Sequence, residues 1–245
     1  MRTRPVLLID DGGVMNDNRL RGEQWPALVG EFFAPRLGGT LVAWAGANRT
    51  ITAHIFEPEN WRQRALQAAS DYSAFERAYW LDWLGGMCQL VGISCPPKEE
   101  CIDLARQAEA YVIPRVRTAC PGASETIRHL HTQGYTLHTA SGESSIHLQG
   151  YLEGMGVRDC FGQLYGSDLL DTLKERPEYY TRLFANAQLD PTDALVIDDS
   201  PRALAWAREL GATTVLISAE YKSMDGMYCI GSLAELPELL QWIEA

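Results

Sequence analysis

A regular alternation of predicted strands and helices occupies the second half of the chain, and it constrains the fold more than any other feature. Residues 135–140, 194–197 and 213–217 are predicted as strands, and the amphipathic segments between them are predicted as helices. Parallel strands need crossover connections, so this alternation indicates a parallel sheet with helices on both faces. The sequence therefore predicts an α/β fold built on a doubly wound parallel sheet.

One further strand is predicted far from the others, near the start of the chain. Residues 6–9 form a short apolar run that ends in Asp10-Asp11-Gly12-Gly13, a pattern typical of a buried strand before a tight turn. Residues 59–69, 71–91 and 97–113 have helical patterns instead. We therefore expect an α/β core domain formed by residues 1–19 and 119–245, interrupted by a helical domain at residues 20–118.

Two features of the inserted region leave alternatives open. Residues 38–53 are ambiguous, and the part from 41 to 52 is either a substrate-specificity loop or an ordinary connection. The insertion also holds five of the seven tryptophans of the chain: Trp25, Trp44, Trp61, Trp80 and Trp83. Most of these rings should be core residues. A few of them could form an aromatic surface toward a substrate.

Composition excludes several partners. The chain has 245 residues with 21 Lys and Arg against 32 Asp and Glu, a net charge of −11. Nucleic acids and anionic membranes need a basic face, so we expect neither as a partner. No apolar stretch approaches the ~18 residues of a membrane span, and no signal peptide is expected. The six cysteines form no CxxC pair, which favours buried free thiols in a reducing cytoplasm.

Reactive side chains follow the predicted strands at the points where the strands end. Asp10 follows the first, Ser141 the second, and Asp198 and Asp199 a later one, while Lys174 precedes a helix that begins near Pro177. The carboxyl ends of parallel strands meet at one edge of a sheet, so these groups should converge on one crevice. Three carboxylates there form a hard-oxygen cluster suited to Mg²⁺.

Four segments, in this order, resemble the motifs of the haloacid dehalogenase superfamily, hydrolases whose nucleophile is an aspartate. They are VLLIDDGGVM at 6–15, GYTLHTASG at 134–142, LKERPEYY at 173–180 and ALVIDDS at 194–200. The resemblance covers residues 6 to about 217. It implies a Rossmann-like core with an α-helical cap inserted after the first strand.

The resemblance also implies a role for each group. Asp10 is expected to attack phosphorus and form an aspartyl-phosphate. Mg²⁺ would be bound by Asp10, the carbonyl of Gly12, Asp198 and Asp199, with Asp199 the better candidate of the acidic pair. Lys174 would pair with Asp10 and with a phosphate oxygen.

The second motif is expected to bind phosphate. Ser141 and Gly142, with the N–H groups of Ser144 and Ser145 at the start of the next helix, would hold its oxygens. Ser141 could instead simply cap that helix. Gly142 is a departure, because many relatives carry Asn there.

Gly12 is the main departure from the family pattern. Phosphatases of the family usually have a second aspartate at this position, which serves as general acid and base, and losing such a group typically costs ~10²–10⁴-fold in rate. Asp11, Asp17, His54 and Glu143 are candidates for a replacement. An alternative register would make Asp11 that second aspartate, but Ile9 would then occupy the nucleophile position.

The sequence favours a cytoplasmic Mg²⁺-dependent hydrolase of a small phosphorylated metabolite, either a monomer or a homodimer. Two alternatives remain. In a 2-haloacid dehalogenase the same aspartate would displace halide from carbon, without a metal. Such relatives usually carry Tyr at the position of Gly12, where this chain has no side chain. They also usually carry an arginine soon after the nucleophile, for which Arg19 and Arg21 are candidates. A weakly catalytic or non-catalytic binding protein of the same fold would explain Gly12.

Overall fold

The computed structural model describes residues 4–67, 71–220 and 226–244, and it contains one parallel sheet within these ranges. The strands run in the order β3-β2-β1-β4-β5-β6, and every neighbouring pair is parallel. They are β1 (Val6–Ile9), β2 (Leu137–Ala140), β3 (Phe161–Tyr165), β4 (Ala194–Asp198), β5 (Thr213–Ile217) and β6 (Tyr228–Ile230). The predicted doubly wound α/β fold is confirmed.

Eleven α-helices of the described ranges follow β1, lying between successive strands or after the last one. Those from the first motif up to residue 117 are α1 (Asn18–Leu37), α2 (Leu41–Ile55), α3 (Pro58–Gln67), α4 (Tyr72–Val91) and α5 (Lys98–Val112). Those that follow are α6 (Ala123–Thr132), α7 (Ser145–Met155), α8 (Ser167–Leu170), α9 (Glu178–Ala187), α10 (Pro201–Glu209) and α11 (Leu236–Glu244).

Strand β1 shows why the sheet is covered on both faces. Its successive side chains point to opposite faces. Leu7 and Ile9 belong to one apolar cluster with residues of α6, α7 and α11, whereas Leu8 belongs to another with residues of α9 and α10. All three leucine and isoleucine side chains are fully buried. A short continuous apolar run is therefore what this central strand requires.

The chain divides into two compact units. One contains the segment up to Asn18 and everything from Thr118 onward, and the other contains Arg19–Arg117. The first unit holds the sheet, and the described elements of the second are helical.

Aromatic rings form the interior of the helical unit. Phe33 stacks on Trp44 with centroids 4.9 Å apart and meets Trp83 edge-on at 5.9 Å. Trp44 and Trp83 are fully buried, Trp80 is also buried, and Trp25 and Trp61 are partly exposed. Trp44 is therefore a core residue, and any aromatic surface for a substrate must exclude it.

The ambiguous segment at 38–53 is mostly helix. Helix α2 covers Leu41–Ile55, and the hydroxyl of Thr40 caps it by accepting a hydrogen bond from the N–H of Ala43 at 3.1 Å. The suggestion of a specificity loop at residues 41–52 is therefore wrong. The pattern was ambiguous because glycines precede the helix and β-branched residues lie within it.

The chain leaves and re-enters the sheet-containing unit at neighbouring points. Asn16 pairs with Ala119 in an isolated antiparallel bridge, and the N–H of Asp17 donates to the carbonyl of Thr118 at 2.8 Å. The hydroxyl of Thr118 donates to Oδ1 of Asn16 at 3.0 Å. These bonds tie the loop after β1 to the segment at Thr118 and Ala119.

The edge strands β3 and β6 were not predicted from the sequence. Strand β3 contains Gly162 and Gln163, which are exposed, and β6 has three residues with only Ile230 buried. An edge strand is half solvated and needs no long apolar run, so its pattern is weak.

Among the helices of the described ranges, none has the length and apolar character needed to cross a bilayer. All six cysteines are free thiols. Two of them, Cys88 and Cys101, are buried, and burial raises the pKa of each to about 12. The expectation of free thiols is confirmed, but the expectation that they are buried is wrong for four of the six: Cys95 is exposed, and Cys120, Cys160 and Cys229 are partly exposed.

Candidate active site

The central position of β1 brings the ends of three strands together. Ile9 pairs with Thr139 of β2 on one side and with Ile197 of β4 on the other, and the N–H of Asp10 donates to the carbonyl of Ile197 at 2.9 Å. Strands β2 and β3 lie on one side of β1 within the sheet, and β4, β5 and β6 lie on the other. The strand order therefore reverses at β1, and parallel sheets form a crevice at such a point. Asp10 lies at this point.

Lys174 links the nucleophile candidate to the acidic pair. Its Nζ lies 3.0 Å from Oδ1 of Asp10 and 2.5 Å from Oδ2 of Asp198, and it donates to the carbonyl of Ala140 at 2.6 Å. An ammonium group has three N–H donors, so all three are used within the protein. A phosphate oxygen would have to share one of these donors.

Asp10, Asp198 and Asp199 form a carboxylate cluster. Each offers an oxygen, and these oxygens all lie within 4.8 Å of one another. Asp198 is buried and its oxygens are engaged: Oδ1 accepts from the N–H of Ser200 at 2.8 Å, and Oδ2 accepts from Lys174 and from the hydroxyl of Tyr180 at 3.3 Å. Asp199 is exposed, which leaves it the more accessible oxygen donor of the pair.

Burial and mutual repulsion dominate the electrostatics of the cluster. The pKa of Asp10 is raised to about 7, mainly by burial; the charge of Lys174 opposes this rise and the charge of Asp198 adds to it. Burial and the charge of Asp198 also raise the pKa of Asp199. Burial lowers the pKa of Lys174, but Asp10 and Asp198 outweigh it and hold the pKa above its usual range. Three carboxylates and one ammonium leave a formal charge of −2, which a divalent cation would neutralise.

Gly13 is required by this geometry. Its φ of +80° is a conformation that side chains disfavour, and a Cβ there would collide with the carboxylate of Asp199. The turn after β1 can therefore approach the acidic pair only with glycine at this position.

The second motif follows β2 as predicted, and one alternative for it is removed. Ser141 is buried, and its Oγ accepts from the N–H of Glu143 at 3.4 Å. Helix α7 is capped by Ser144, whose Oγ accepts from the N–H of His147 at 3.3 Å. Ser141 therefore does not cap the helix. Gly142 is exposed, and a Cβ there would lie 3.7 Å from Cβ of Lys174, an ordinary contact.

One expected phosphate ligand is engaged elsewhere. The N–H of Ser145 donates to Oδ1 of Asp168 at 2.7 Å, and its hydroxyl donates to Oδ2 at 2.5 Å. The expectation that the N–H of Ser145 would hold a phosphate oxygen is therefore wrong. Asp168 lies in α8, a short helix whose sequence gave no sign of contact with the second motif.

The four candidates for a second acid lie in different surroundings. Asp11 is fully buried, and its Oδ1 accepts from Nδ2 of Asn16 at 2.7 Å. Glu143 lies on the loop after Ser141, with Oε2 3.0 Å from Nδ1 of His147. Asp17 is partly exposed on the loop after β1, and His54 belongs to the helical unit. None of these contacts places an acid at Gly12.

Two tyrosines support the site, and sequence reasoning missed them. The hydroxyl of Tyr179 donates to the carbonyls of Ser141 at 2.9 Å and Tyr165 at 3.2 Å, while that of Tyr180 reaches Asp198. Both side chains are fully buried, and burial raises the pKa of each well above its usual value. Their position in the third motif, at the start of α9, is the clue that could have identified them.

Comparisons with known proteins identify the family of this chain. The family model for haloacid dehalogenase-like hydrolases matches residues 25–219. A bifunctional riboflavin kinase/FMN phosphatase from Arabidopsis thaliana is 29% identical over 138 residues, which is 51% of this chain and 36% of that protein. A phosphoglycolate phosphatase from Vibrio vulnificus is 27% identical over 101 residues, 41% of this chain and 44% of that protein. The alignments thus cover less than half the length of these relatives.

Solved structures share the fold over nearly the whole chain. The hydrolase YfnB from Bacillus subtilis, in a structure bound to magnesium, has a TM-score of 0.67 at 18% identity and covers 98% of this chain and all of that one. L-2-Haloacid dehalogenase from Xanthobacter autotrophicus has a TM-score of 0.60 at 16% identity, covering 98% and 99% of the two chains. Together with the match over most of the sequence, this confirms the resemblance: the chain belongs to the haloacid dehalogenase-like hydrolases.

Proposed function

We propose that this protein is a Mg²⁺-dependent phosphatase that hydrolyses a small phosphorylated metabolite through an aspartyl-phosphate at Asp10. The observation that carries the proposal is the carboxylate cluster of Asp10, Asp198 and Asp199, with Lys174 between two of its members. Displacement of halide at carbon needs no such cluster. Attack by a carboxylate on a phosphate dianion does need charge neutralisation, and the cluster is suited to bind a cation that provides it.

The donor set fits Mg²⁺. Carboxylate oxygens are the ligands that this ion prefers, and one or two carboxylates with waters commonly suffice. The exposed Asp199 and the nucleophile Asp10 would hold the ion with the carbonyl of Gly12, and Asp198 would either bind it or orient the other ligands. When bound, the ion would offset the negative charge of the cluster and of the phosphate oxygens.

The residues of the chain would act in two steps. Asp10 attacks phosphorus, the bond from phosphorus to the leaving oxygen breaks, and an aspartyl-phosphate forms. Water then attacks phosphorus and restores the carboxylate. Lys174 positions Asp10 and favours its ionised form, since its ammonium bridges Asp10 and Asp198 and lowers the pKa of Asp10. Ser141 and Gly142, which follow β2 beside Lys174, would hold phosphate oxygens.

The substrate class rests on the names of the relatives. Phosphoglycolate phosphatase and FMN phosphatase are named for small phosphorylated molecules, and both match the chain only in part. We propose only that the substrate is a small phosphorylated metabolite, without carrying over the type of phosphate ester that those relatives hydrolyse. We also propose a cytoplasmic location, in keeping with the free cysteines.

A screen of phosphate release tests the proposal. Wild-type protein is assayed against a panel of phosphorylated metabolites with Mg²⁺ or with EDTA, beside Asp10→Asn and the control Asp193→Asn. Asp193 is exposed and precedes β4, at the opposite end of that strand from Asp198. We expect release that needs Mg²⁺, survives in Asp193→Asn and is lost in Asp10→Asn.

The same proteins distinguish the alternatives. Beryllofluoride should be trapped on Asp10 only when Mg²⁺ is present. Halide release from 2-haloacids in EDTA would instead identify a dehalogenase, and neither reaction would indicate a binding protein. Equal phosphate release by wild type and Asp10→Asn would contradict the aspartyl-phosphate mechanism.

A further inference from the structure

The side chain of Asn18 occupies the space that a side chain at residue 12 would fill. A Cβ atom on Gly12 would lie 2.6 Å from Oδ1 and 2.9 Å from Nδ2 of Asn18. Both separations are shorter than van der Waals contact, so a residue-12 side chain and this carboxamide exclude each other. The carboxamide of Asn18 therefore lies beside the backbone only two residues beyond Asp10.

The turn after β1 explains how Asn18 reaches this place. The carbonyl of Asp11 accepts from the N–H groups of Met15 and Asn16, each at 2.9 Å, and the N–H of Gly13 donates to the carbonyl of Asn16 at 2.8 Å. The chain thus doubles back on itself, and Asn18 begins α1 next to Gly12. The hydrogen-bonded turn holds the carboxamide near the nucleophile.

A carboxamide differs from an acid in one decisive respect. It donates and accepts hydrogen bonds but does not carry a proton to or from a reacting group near neutral pH. The adjacent acid in the sequence, Asp11, is fully buried with Oδ1 accepting from Asn16. The group that fills the side-chain space of residue 12 is therefore a carboxamide and not an acid.

We propose that Asn18 contacts the leaving group of the substrate and restricts the enzyme to phosphate donors whose leaving group departs without a proton. This inference rests on the proposed function. Acyl phosphates, enol phosphates and phosphoanhydrides belong to this class, and simple alkyl phosphates do not. Nδ2 of Asn18 donates a hydrogen bond to the oxygen that departs.

The steps balance without a general acid. A carboxylate oxygen of Asp10 forms a bond to phosphorus, and the bond from phosphorus to the leaving oxygen breaks with its electron pair on that oxygen. The departing anion is released as such. Water then attacks the phosphorus of the aspartyl-phosphate, the carboxylate of Asp10 leaves, and the protons of the water remain on the phosphate product or pass to solvent.

The dependence of rate on the leaving group is the measurable consequence. Across aryl phosphates whose leaving-group pKa rises from about 4 to about 10, a site without a general acid should lose rate steeply. An alkyl phosphate, with a still more basic leaving group, should be slower again. We expect wild type to lose at least ~10²-fold in kcat/KM across the aryl series, the lower end of what a general acid contributes.

Asn18→Asp introduces an acid at the same place with almost no change in shape. An acidic residue is favourable in the first turn of a helix, so α1 should fold normally. We expect this variant to flatten the leaving-group dependence and to raise alkyl phosphate turnover by ~10-fold or more. Asn186→Asp, an exposed position on α9, makes the same chemical change away from the site and serves as the control.

The outcomes separate this inference from the proposed function. A steep dependence in wild type and Asn186→Asp that becomes shallow in Asn18→Asp supports the inference. Release that depends on Asp10 but is flat across the series, or equally steep in Asn18→Asp, overturns the inference and leaves the proposed function standing. Release that is equal in wild type and Asp10→Asn overturns both.

Discussion

Lys174→Met should destabilise the protein through the two carboxylates that the lysine holds. The side chains of Lys174, Asp10 and Asp198 are 9%, 11% and 1% exposed, and the ammonium lies 3.0 Å and 2.5 Å from the two acids. Coulomb's law at an effective dielectric constant of about 20 gives about 5 to 7 kcal/mol for each pair. Desolvation of the buried ammonium offsets much of this attraction. We expect a net loss of about 3–5 kcal/mol in the free energy of unfolding, because methionine leaves two buried charges unpaired.

Urea denaturation in EDTA measures this loss. Lys98→Met, at an exposed position, is the matched control and should change the free energy of unfolding by no more than about 0.5 kcal/mol. Adding Asp198→Asn to Lys174→Met removes one of the two buried carboxylates that have lost their ammonium partner. We therefore expect the double variant to recover at least about 1 kcal/mol relative to Lys174→Met, which is the signature of coupled residues.

Two results would refute this account of Lys174. A loss below about 1 kcal/mol would mean that the ion pairs contribute little beyond their desolvation. Strictly additive effects of Lys174→Met and Asp198→Asn would mean that the 2.5 Å contact carries no mutual stabilisation.

Two further predictions concern single residues of the sheet-containing unit. Gly13→Ala should weaken Mg²⁺ binding, because its Cβ would displace the carboxylate of Asp199. Titration of the thermal stabilisation caused by Mg²⁺ measures this, and the control Gly22→Ala, whose new methyl group meets open space, should match wild type. A Gly13→Ala protein with the Mg²⁺ affinity of wild type would contradict the geometry. His138 accepts a hydrogen bond at Nδ1 from the N–H of Gln163, and burial lowers its pKa below the usual 6.5. The unfolded chain then binds the proton more readily, so the stability contributed by neutral His138 is lost as pH falls through about 6.5. The stability advantage of wild type over His138→Phe should therefore shrink between about pH 7.5 and pH 5, and an advantage that grew on acidification would refute the assignment.

The central strands could be predicted from the sequence because both of their faces are buried. Residues 6–9 and 194–197 are continuous apolar runs, and a strand covered on both sides must be apolar throughout. Their carboxyl ends then placed Asp10, Asp198 and Asp199 at one edge of the sheet. No strand ends at Lys174, so its inclusion in the site depended on its place before the helix near Pro177, and its role came from the resemblance of its motif.

Contacts made by loops and short helices could not be predicted. The bond from Ser145 to Asp168 and those from Tyr179 to the second motif depend on how α8 and α9 fold back on α7. The approach of Asn18 to Gly12 depends on a turn whose hydrogen bonds are between backbone groups. Hydrogen bonds between backbone groups leave little trace in the sequence, so these contacts are visible only in the three-dimensional structure.

The antiparallel bridge between Asn16 and Ala119 brings together the two ends of the inserted helical unit. Opposite residues in such a bridge have Cα atoms about 5 Å apart, so roughly a hundred residues leave and return through a gap that a short turn could span. Because the free energy needed to close a loop grows only slowly with its length, insertions of very different size can be accommodated between these two positions. The same bonds fix the loop that carries Asp10, so the helical unit can change in length while the position of that residue is kept.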